Sequence, residues 1–332
     1  MESSYRARAP AGKRRCRGGL LMEKLLVIRH LQVEAANAIA GITWGFPAMT
    51  SFLGLTHALQ RKVQAGISNK ITLSGCAVIC HASQVQAHSN NMSRENYFAL
   101  TRNPLTKDGS TAPFNEEGRM RMDISLLILL SGPTPPMFED ELVEFIKSAL
   151  LTSRVAGGKV KQLGEVELIK DIGAINRESG TRKSFLRKLL PGFALVSRDD
   201  VLQSHIEESQ KTPLDALLDF SIKRMAAQTK GDRAEWRTER LDYIGWLKPI
   251  MVGYQGISDL YEAGEVGHVR DRTCPVQFVE SIYSLGQWIS PHRISDLKHL
   301  FWQQEYHADN ALYLCKNNYQ PDAPASLSSE TD

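Results

Sequence analysis

Four cations, Arg102, Lys107, Arg119 and Arg121, fall within the stretch LTRNPLTKDGSTAPFNEEGRMRMDISLLILL, Leu100 to Leu130. Placed along one side of a groove, they would neutralise an anion such as a phosphate backbone. Internal salt bridging competes with that use, because Arg94 to Asp123 holds five basic and five acidic residues. The segment GHVRDRTCPVQF adds Arg270 and Arg272, alternating on an extended run. SPHR adds His292 and Arg293, in the expected first turn of a helix, where the macrodipole disfavours cations unless an anion docks at the free N–H groups. Pairing of Arg293 with Asp296 is the alternative. Arg182, Lys183, Arg187 and Lys188 form a further basic run that reads as a solvated helix face. Single-stranded nucleic acid also needs flat side chains that accept bases. Trp44 and Phe46, and Tyr97 and Phe98, supply them, although most such residues end up in a core.

Catalytic signatures are scarce. There is no Walker A loop, nucleophile elbow, G-x-G-x-x-G or H-E-x-x-H. His30 and His57 sit on the first expected strand and helix, where an acid or base could serve a metal-independent ribonuclease; solvent-facing or core-edge histidines are the simpler reading. Cys76, Cys80 and His81 in CAVICH cannot converge on a metal, because on a strand the cysteines share a face and His81 points the other way. We expect neither a metal nor a cofactor.

These residues need elements to position them. Residues 24–34 alternate as a strand, with Leu31 and Val33 opposed to His30, Gln32 and Glu34. In TWGFPAMTSFLGLTHALQRKV the apolar residues Phe52, Leu55, Leu59 and Val63 lie on one helical face, and Pro47 suits a first turn. A strand follows over 71–80. The returning arm of the opening stretch alternates strictly: Arg119, Arg121, Asp123 and Ser125 on one face, Met120, Met122, Ile124 and Leu126 on the other. It ends in an apolar run that predicts burial on both faces. Residues 140–154 form an amphipathic helix through Leu142, Phe145, Ile146, Ala149 and Leu150, and KVKQLGEVELI is strand-like. The order β-α-β-β-α-β is that of a split βαβ or ferredoxin-like motif with a long inserted hairpin, and alone it decides no function.

The second half is less regular. It offers a basic helix and short strand in TRKSFLRKLLPGFALVSRDDVL, and a helix capped by Thr212 with Pro213 and Asp215 following. Residues 226–242 read as a charged connection, and Ser290-Pro291 as the start of a last helix. The predicted class is α+β: a ferredoxin-like core over 23–175 carrying an inserted hairpin at about 97–125, then an irregular C-terminal extension over 176–332.

The net charge of +3 is misleading. The first nineteen residues hold Arg6, Arg8, Lys13, Arg14, Arg15 and Arg17 against Glu2, so the remaining 313 sum to −2. The body is no general nucleic-acid sponge, and an anion site must come from local arrangement. Residues 1–22 read as a basic disordered tail. Five scattered cysteines suit reduced thiols, and nothing approaches a membrane-spanning run, so we expect a cytoplasmic protein.

From Leu25 to Tyr313 the chain resembles the Csy-two family, the Cas-five-type subunit of the type I-F CRISPR surveillance (Csy, or Cascade) complex. The resemblance is carried by NAIAGITWGFPAMTSFLGLTHALQRKV, LTRNPLTKDGSTA with EEGR, RKLLPGFALVSR, RDRTCPVQFVESIYSLGQW and ISPHR. It implies an RRM-like (RAMP) core whose inserted hairpin, about 97–125, is a thumb. The whole would be a non-catalytic RNA-binding subunit that grips the 5′ handle of CRISPR RNA, pairs with the large Csy subunit and reaches the adjacent Cas-seven-type backbone subunit by that thumb. Target DNA would be met only indirectly, and no membrane is involved. On this reading Arg102, Lys107, Arg119, Arg121, Arg270, Arg272, His292 and Arg293 contact RNA, with Trp44, Phe46 and His57 near the same groove. The rival is a metal-independent endoribonuclease of the same superfold that uses His30 or His57. The basic tail lies outside the resemblance, and 203–242 matches it weakly.

Overall fold

A computed structural model describes residues 23–321, except 90–95, 99, 103, 223, 231–232, 240–244 and 270. The basic tail assigned to 1–22 therefore lies outside the described residues. The chain is α+β and is dominated by one large, antiparallel sheet.

The first strand, β1 (Lys24–Asn37), leads through a small hairpin, β2 (Ile39–Ala40) and β3 (Thr43–Trp44), into helix α1 (Met49–Gly66). Phe52, Leu55, Leu59 and Val63 are buried along one face of α1, as their spacing predicts. Pro47 lies ahead of the helix rather than in its first turn, and Ala48 is the N-cap residue. Strand β4 (Thr72–Val85) follows, then an insertion, then β9 (Arg119–Ser131). The insertion contains two small ladders, β5 (Ala87–Ser89) with β6 (Asn96–Phe98), and β7 (Leu100–Arg102) with β8 (Phe114–Glu116). Helix α2 (Glu139–Leu151) opens with Glu139, Asp140 and Glu141 against its positive N-terminal end and buries Leu142, Ile146, Ala149 and Leu150. Strands β10 (Arg154–Val155), β11 (Gly158–Gln162) and β12 (Val166–Ile169) complete this half.

Their order in the sheet runs β11, β1, β9, β4, with neighbours antiparallel and β12 also paired to β1. The apolar end of β9 is buried on both sides, as expected. Leu126, Ile128 and Leu130 join the cluster beneath α1 and α2, while Leu127 and Leu129 join a second cluster on the opposite face. The returning arm, 119–125, is thus part of the central strand of the sheet. Only 86–118 lies outside the β4–β9 ladder.

The second half supplies α3 (Ile172–Arg177), α4 (Ser179–Arg187), β13 (Phe193–Ser197), α5 (Asp199–Ser209) and α6 (Pro213–Asp219). Thr212 caps α6, its hydroxyl accepting from Asp215 N–H. Much of the charged connection expected over 226–242 is a β ladder: β14 (Arg224–Lys230) pairs with β15 (Arg233–Glu239). Nor is this half irregular. Strands β16 (Trp246–Gly256), β17 (Val279–Ile289), β18 (Trp302–His307) and β19 (Leu312–Asn317) extend the sheet in the order β4–β13–β17–β16–β19–β18, and β18 returns to β4 at Trp302 and Cys76. That closes a ring of six strands. The Trp302 indole, fully buried, donates to Leu195 O at 2.8 Å across it.

No α-helix starts at Ser290. Residues Pro291–Arg293 and Leu297–Leu300 form two separate 3₁₀ turns, with Ile294, Leu297 and Leu300 buried at spacings of three. A period of three suits the 3₁₀ geometry rather than the α-helix. These turns, with Ile175 of α3 and Phe185 and Leu186 of α4, cover part of the sheet face that α1 and α2 leave bare.

Candidate nucleic-acid interface

The uncovered part of that second face is polar. On β9, Met120, Met122 and Ile124 point to the helices, and Arg119, Arg121 and Asp123 point away. Gln32 and Glu34 of β1, Gln84 of β4 and Lys161 of β11 lie beside Arg121 and Asp123 around a cavity of about 270 Å³, whereas Arg119 lines a separate cavity of about 880 Å³ with Asn37, Ser51 and Arg154. Lys161 pairs with Glu34 at 2.9 Å and, with Arg121 and Lys159 nearby, holds that carboxyl below its ordinary value. Arg119 is occupied: its Nε and Nη2 donate to Glu117 at 2.8 and 2.5 Å. Arg121 is exposed and makes no hydrogen bond or ion pair among the described residues.

At the edge of this surface β1 bulges twice, with His30 at φ 48° and Ala35 at φ 54°. A non-glycine residue there costs ~1–2 kcal/mol, which the surrounding ladder must offset. The first bulge aims His30 at Asp123, Nδ1 to Oδ2 3.1 Å, and stacks its ring on His81 with centroids 4.4 Å apart. His81 is fixed at both nitrogens. Nδ1 donates to Pro191 O at 2.6 Å, so Nε2 accepts from the Ser125 hydroxyl at 2.7 Å, which in turn accepts from His30 N–H. Burial holds His81 below the ordinary histidine value and therefore favours the neutral ring. The serine–histidine pair has the polarity of a nucleophile and its base, but Ser125 is only 1% exposed, which leaves a substrate no approach. His81 does point away from the two cysteines: Cys76 and Cys80 pack on the helix side, where burial pushes their thiols up to about 12 and about 11. No group of three metal-ligating side chains occurs among the described residues.

The structure does not gather the other sequence candidates here. Lys107 is exposed at the insertion turn around Gly109, and Arg102 ends β7. Arg270 lies outside the described residues. Arg272 sits in a turn organised by Asp271, not on an extended run. His292 and Arg293 are exposed on the first 3₁₀ turn, so the helix-dipole argument for a phosphate there fails. Ser290 Oγ bonds to His292 instead of capping, and Asp296 accepts from Asn176 and Lys298 N–H rather than pairing with Arg293. Phe46 cannot stack on a base: it is 8% exposed, wedged between Phe52 and Trp288. Trp44 is half exposed, edge-on to Phe98. His57 is exposed on α1, which packs on the opposite face from His30, so the two histidines do not converge. Sequence reading missed the pairing of His81 with His30, because 51 residues and the β4 bulge after Cys80 separate the signals.

The family model described as CRISPR-associated protein (Cas_Csy2) matches residues 26–315. The chain belongs to the Cas_Csy2 family. It is 37% identical over 310 residues to CRISPR-associated protein Csy2 of Pseudomonas aeruginosa (strain UCBPP-PA14), an alignment covering 88% of this chain and 94% of that relative. The match spans β1 through most of β19, so it takes in the ring-forming strands and the polar sheet face together. Among the described residues no helix is long and apolar enough to cross a membrane.

Proposed function

We propose that this Cas_Csy2-family chain is a non-catalytic RNA-binding subunit of a type I-F CRISPR surveillance complex. It holds the 5′ handle of the guide RNA and pairs with the large Csy subunit, while base pairing by the guide reads the target. The sheet order β11–β1–β9–β4 with α1 and α2 on one face supports a ferredoxin-like, RRM-like core, and the insertion at 86–118 would be its thumb. The observation that carries the reading is the polar part of the sheet, where both carboxylates are already neutralised or hydrogen-bonded and Arg121 is left to meet a phosphate. A second reading, an endoribonuclease, draws on the exposed His30 held by Asp123 beside His81.

Expression of the chain with its large-subunit partner and a CRISPR RNA, followed by sequencing of the co-purified RNA, separates these readings. Enriched, intact guide 5′ ends that salt releases support the handle-binding role. RNA trimmed at one fixed position, with trimming lost in His30→Ala, replaces it with the nuclease. An assembled complex without RNA reduces the chain to a protein adaptor.

A further inference from the structure

Trp246, Lys248 and Ile250 alternate on one side of β16, the side of the sheet that carries α1. Ile250 is buried in the core, and Trp246 stands 61% exposed at the end of the row. Phe193 of β13, 47% exposed, meets Trp246 edge-to-face with ring centroids 6.3 Å apart at 76°. Behind them the rings step inward: Trp246 to Trp288 at 6.4 Å, Trp288 to Phe46 at 4.9 Å, Phe46 to Phe52 at 5.7 Å. The outer pair is therefore backed by a rigid aromatic column that ends in the core.

Lys248 is the anomaly beside it. Its stem is largely covered, yet its ammonium has no hydrogen-bond or ion-pair partner among the described residues. Burial alone lowers its pKa, with no carboxylate close enough to oppose the shift. Its surroundings, Thr43, Phe46, Pro47, Met49, Leu195 and Trp288, carry no charge. The ammonium lies against Gly45, where a side-chain carbon would come within 3.0 Å of it. A cation withdrawn from water without a partner is costly, and an incoming anion would offset that cost.

We propose that Phe193, Trp246 and Lys248 form a subsite for one unpaired nucleotide of a single-stranded nucleic acid, the base against the exposed rings and its phosphate on the ammonium. This rests on the RNA-binding reading above and adds a contact region on the opposite face of the sheet from Arg121. Two residues along a strand set the backbone attachment points of the ring and the cation about 7 Å apart on one face, a spacing of the order of one nucleotide. The combination of a stacking platform and an isolated cation is what single-strand binding uses. An acidic protein segment would satisfy Lys248 but leave the two rings without a flat partner.

The test uses the complex with the large subunit and guide RNA. Lys248→Met, Trp246→Ser and, as a control, Tyr306→Ser on β18 are compared for guide dissociation constant at several salt concentrations and for Tm. Trp246→Ser is expected to weaken RNA binding roughly tenfold. Lys248→Met is expected to weaken it too, to lower the log–log salt slope by about 0.7, and to raise Tm, since it removes an unpaired charge and keeps the stem. The control should do neither. Unchanged RNA affinity in both variants, with wild type still holding RNA, overturns the subsite and leaves the RNA-binding reading standing. A fall in Tm for Lys248→Met without loss of RNA assigns the lysine a structural role. Loss of a protein subunit with RNA affinity intact makes the surface a protein contact. A wild-type complex that captures no RNA overturns both readings.

Discussion

Arg119 and Arg121 are two residues apart on the same face of β9, so they offer a matched pair of perturbations. Arg119 is about one-third exposed and already committed to Glu117 through two donors. Arg121 is exposed and uncommitted among the described residues. If the guide strand crosses this face, Arg121 meets a phosphate without breaking anything. For a single strand each phosphate contact contributes about −0.7 to the slope of log affinity against log salt. Arg121→Gln should therefore lower the slope by about 0.7. Between 50 and 200 mM salt, a fourfold change, the wild-type advantage should shrink by roughly 2.6-fold. Arg119→Gln should leave the slope unchanged and cost no more than ~1 kcal/mol of stability, because an exposed ion pair is worth little. Glu117→Gln, which frees Arg119, should raise the slope. The assay is a salt series of guide-RNA binding by the assembled complex. Equal slope changes for Arg119→Gln and Arg121→Gln, or no change for Arg121→Gln while RNA is retained, would refute the reasoning.

The remaining predictions concern the groups that hold the site in place. Because burial keeps the folded-state pKa of His81 below its ordinary value, the unfolded chain takes up that proton first. Its neutral form supports full stability above about pH 6.5, and that support is lost as the pH falls toward the folded value. The facing groups are His30, Asp123 and Arg29. Tm measured from pH 5 to 8 should decline on the acid side, less steeply in His81→Gln; parallel curves would show that the proton is taken up elsewhere. Leu127→Ala, at a fully buried position on the central strand, should cost ~2–5 kcal/mol by denaturant unfolding. A maleimide should label exposed Cys274 in the native chain and spare Cys76, Cys80 and Cys315 until unfolding, because burial holds those three thiols at about 11 to 12.

Elements whose own side chains report their surroundings were readable from the sequence. The β9 alternation states which face is wet, and the three- and four-residue spacing in α1 states which side is buried, because those periods are properties of local geometry. The Thr212 cap was legible for the same reason. Ser290-Pro291 misled: its capping chemistry is local, but Ile294, Leu297 and Leu300 recur at three residues, the period of the 3₁₀ turns that form. Strand β16 was obscured by Lys248, Pro249 and Gly253; Pro249 is tolerated because β16 is paired there to β17 alone, β19 joining only at Gly253–Gln255. The site itself was less legible. That Arg119 is occupied and Arg121 is not depends on Glu117, and that Lys248 is unpaired depends on which carboxylates fail to arrive. No single-residue pattern encodes that.

A chain whose body sums to about −2 can still present a phosphate site if its anions are consumed internally. On the exposed sheet face Glu34 pairs with Lys161 and Asp123 accepts from His30, so Arg121 is left as a cation with no direct hydrogen-bond or ion-pair partner among the described residues. Beside α1, Lys248 stands among neutral residues, so the local remainder is again a cation. Neither excess is visible in the net charge, because ion pairs elsewhere, such as Arg29 with Glu167 and Lys211 with Asp219, cancel without leaving a field. The pattern of pairing, rather than the total, decides where an anion is held. The C-terminal layer sharpens this by burying part of the second face under α3, α4 and the 3₁₀ turns. A strand of nucleic acid crossing that face, as proposed, would be restricted to the polar strip between Gln84 and Lys161.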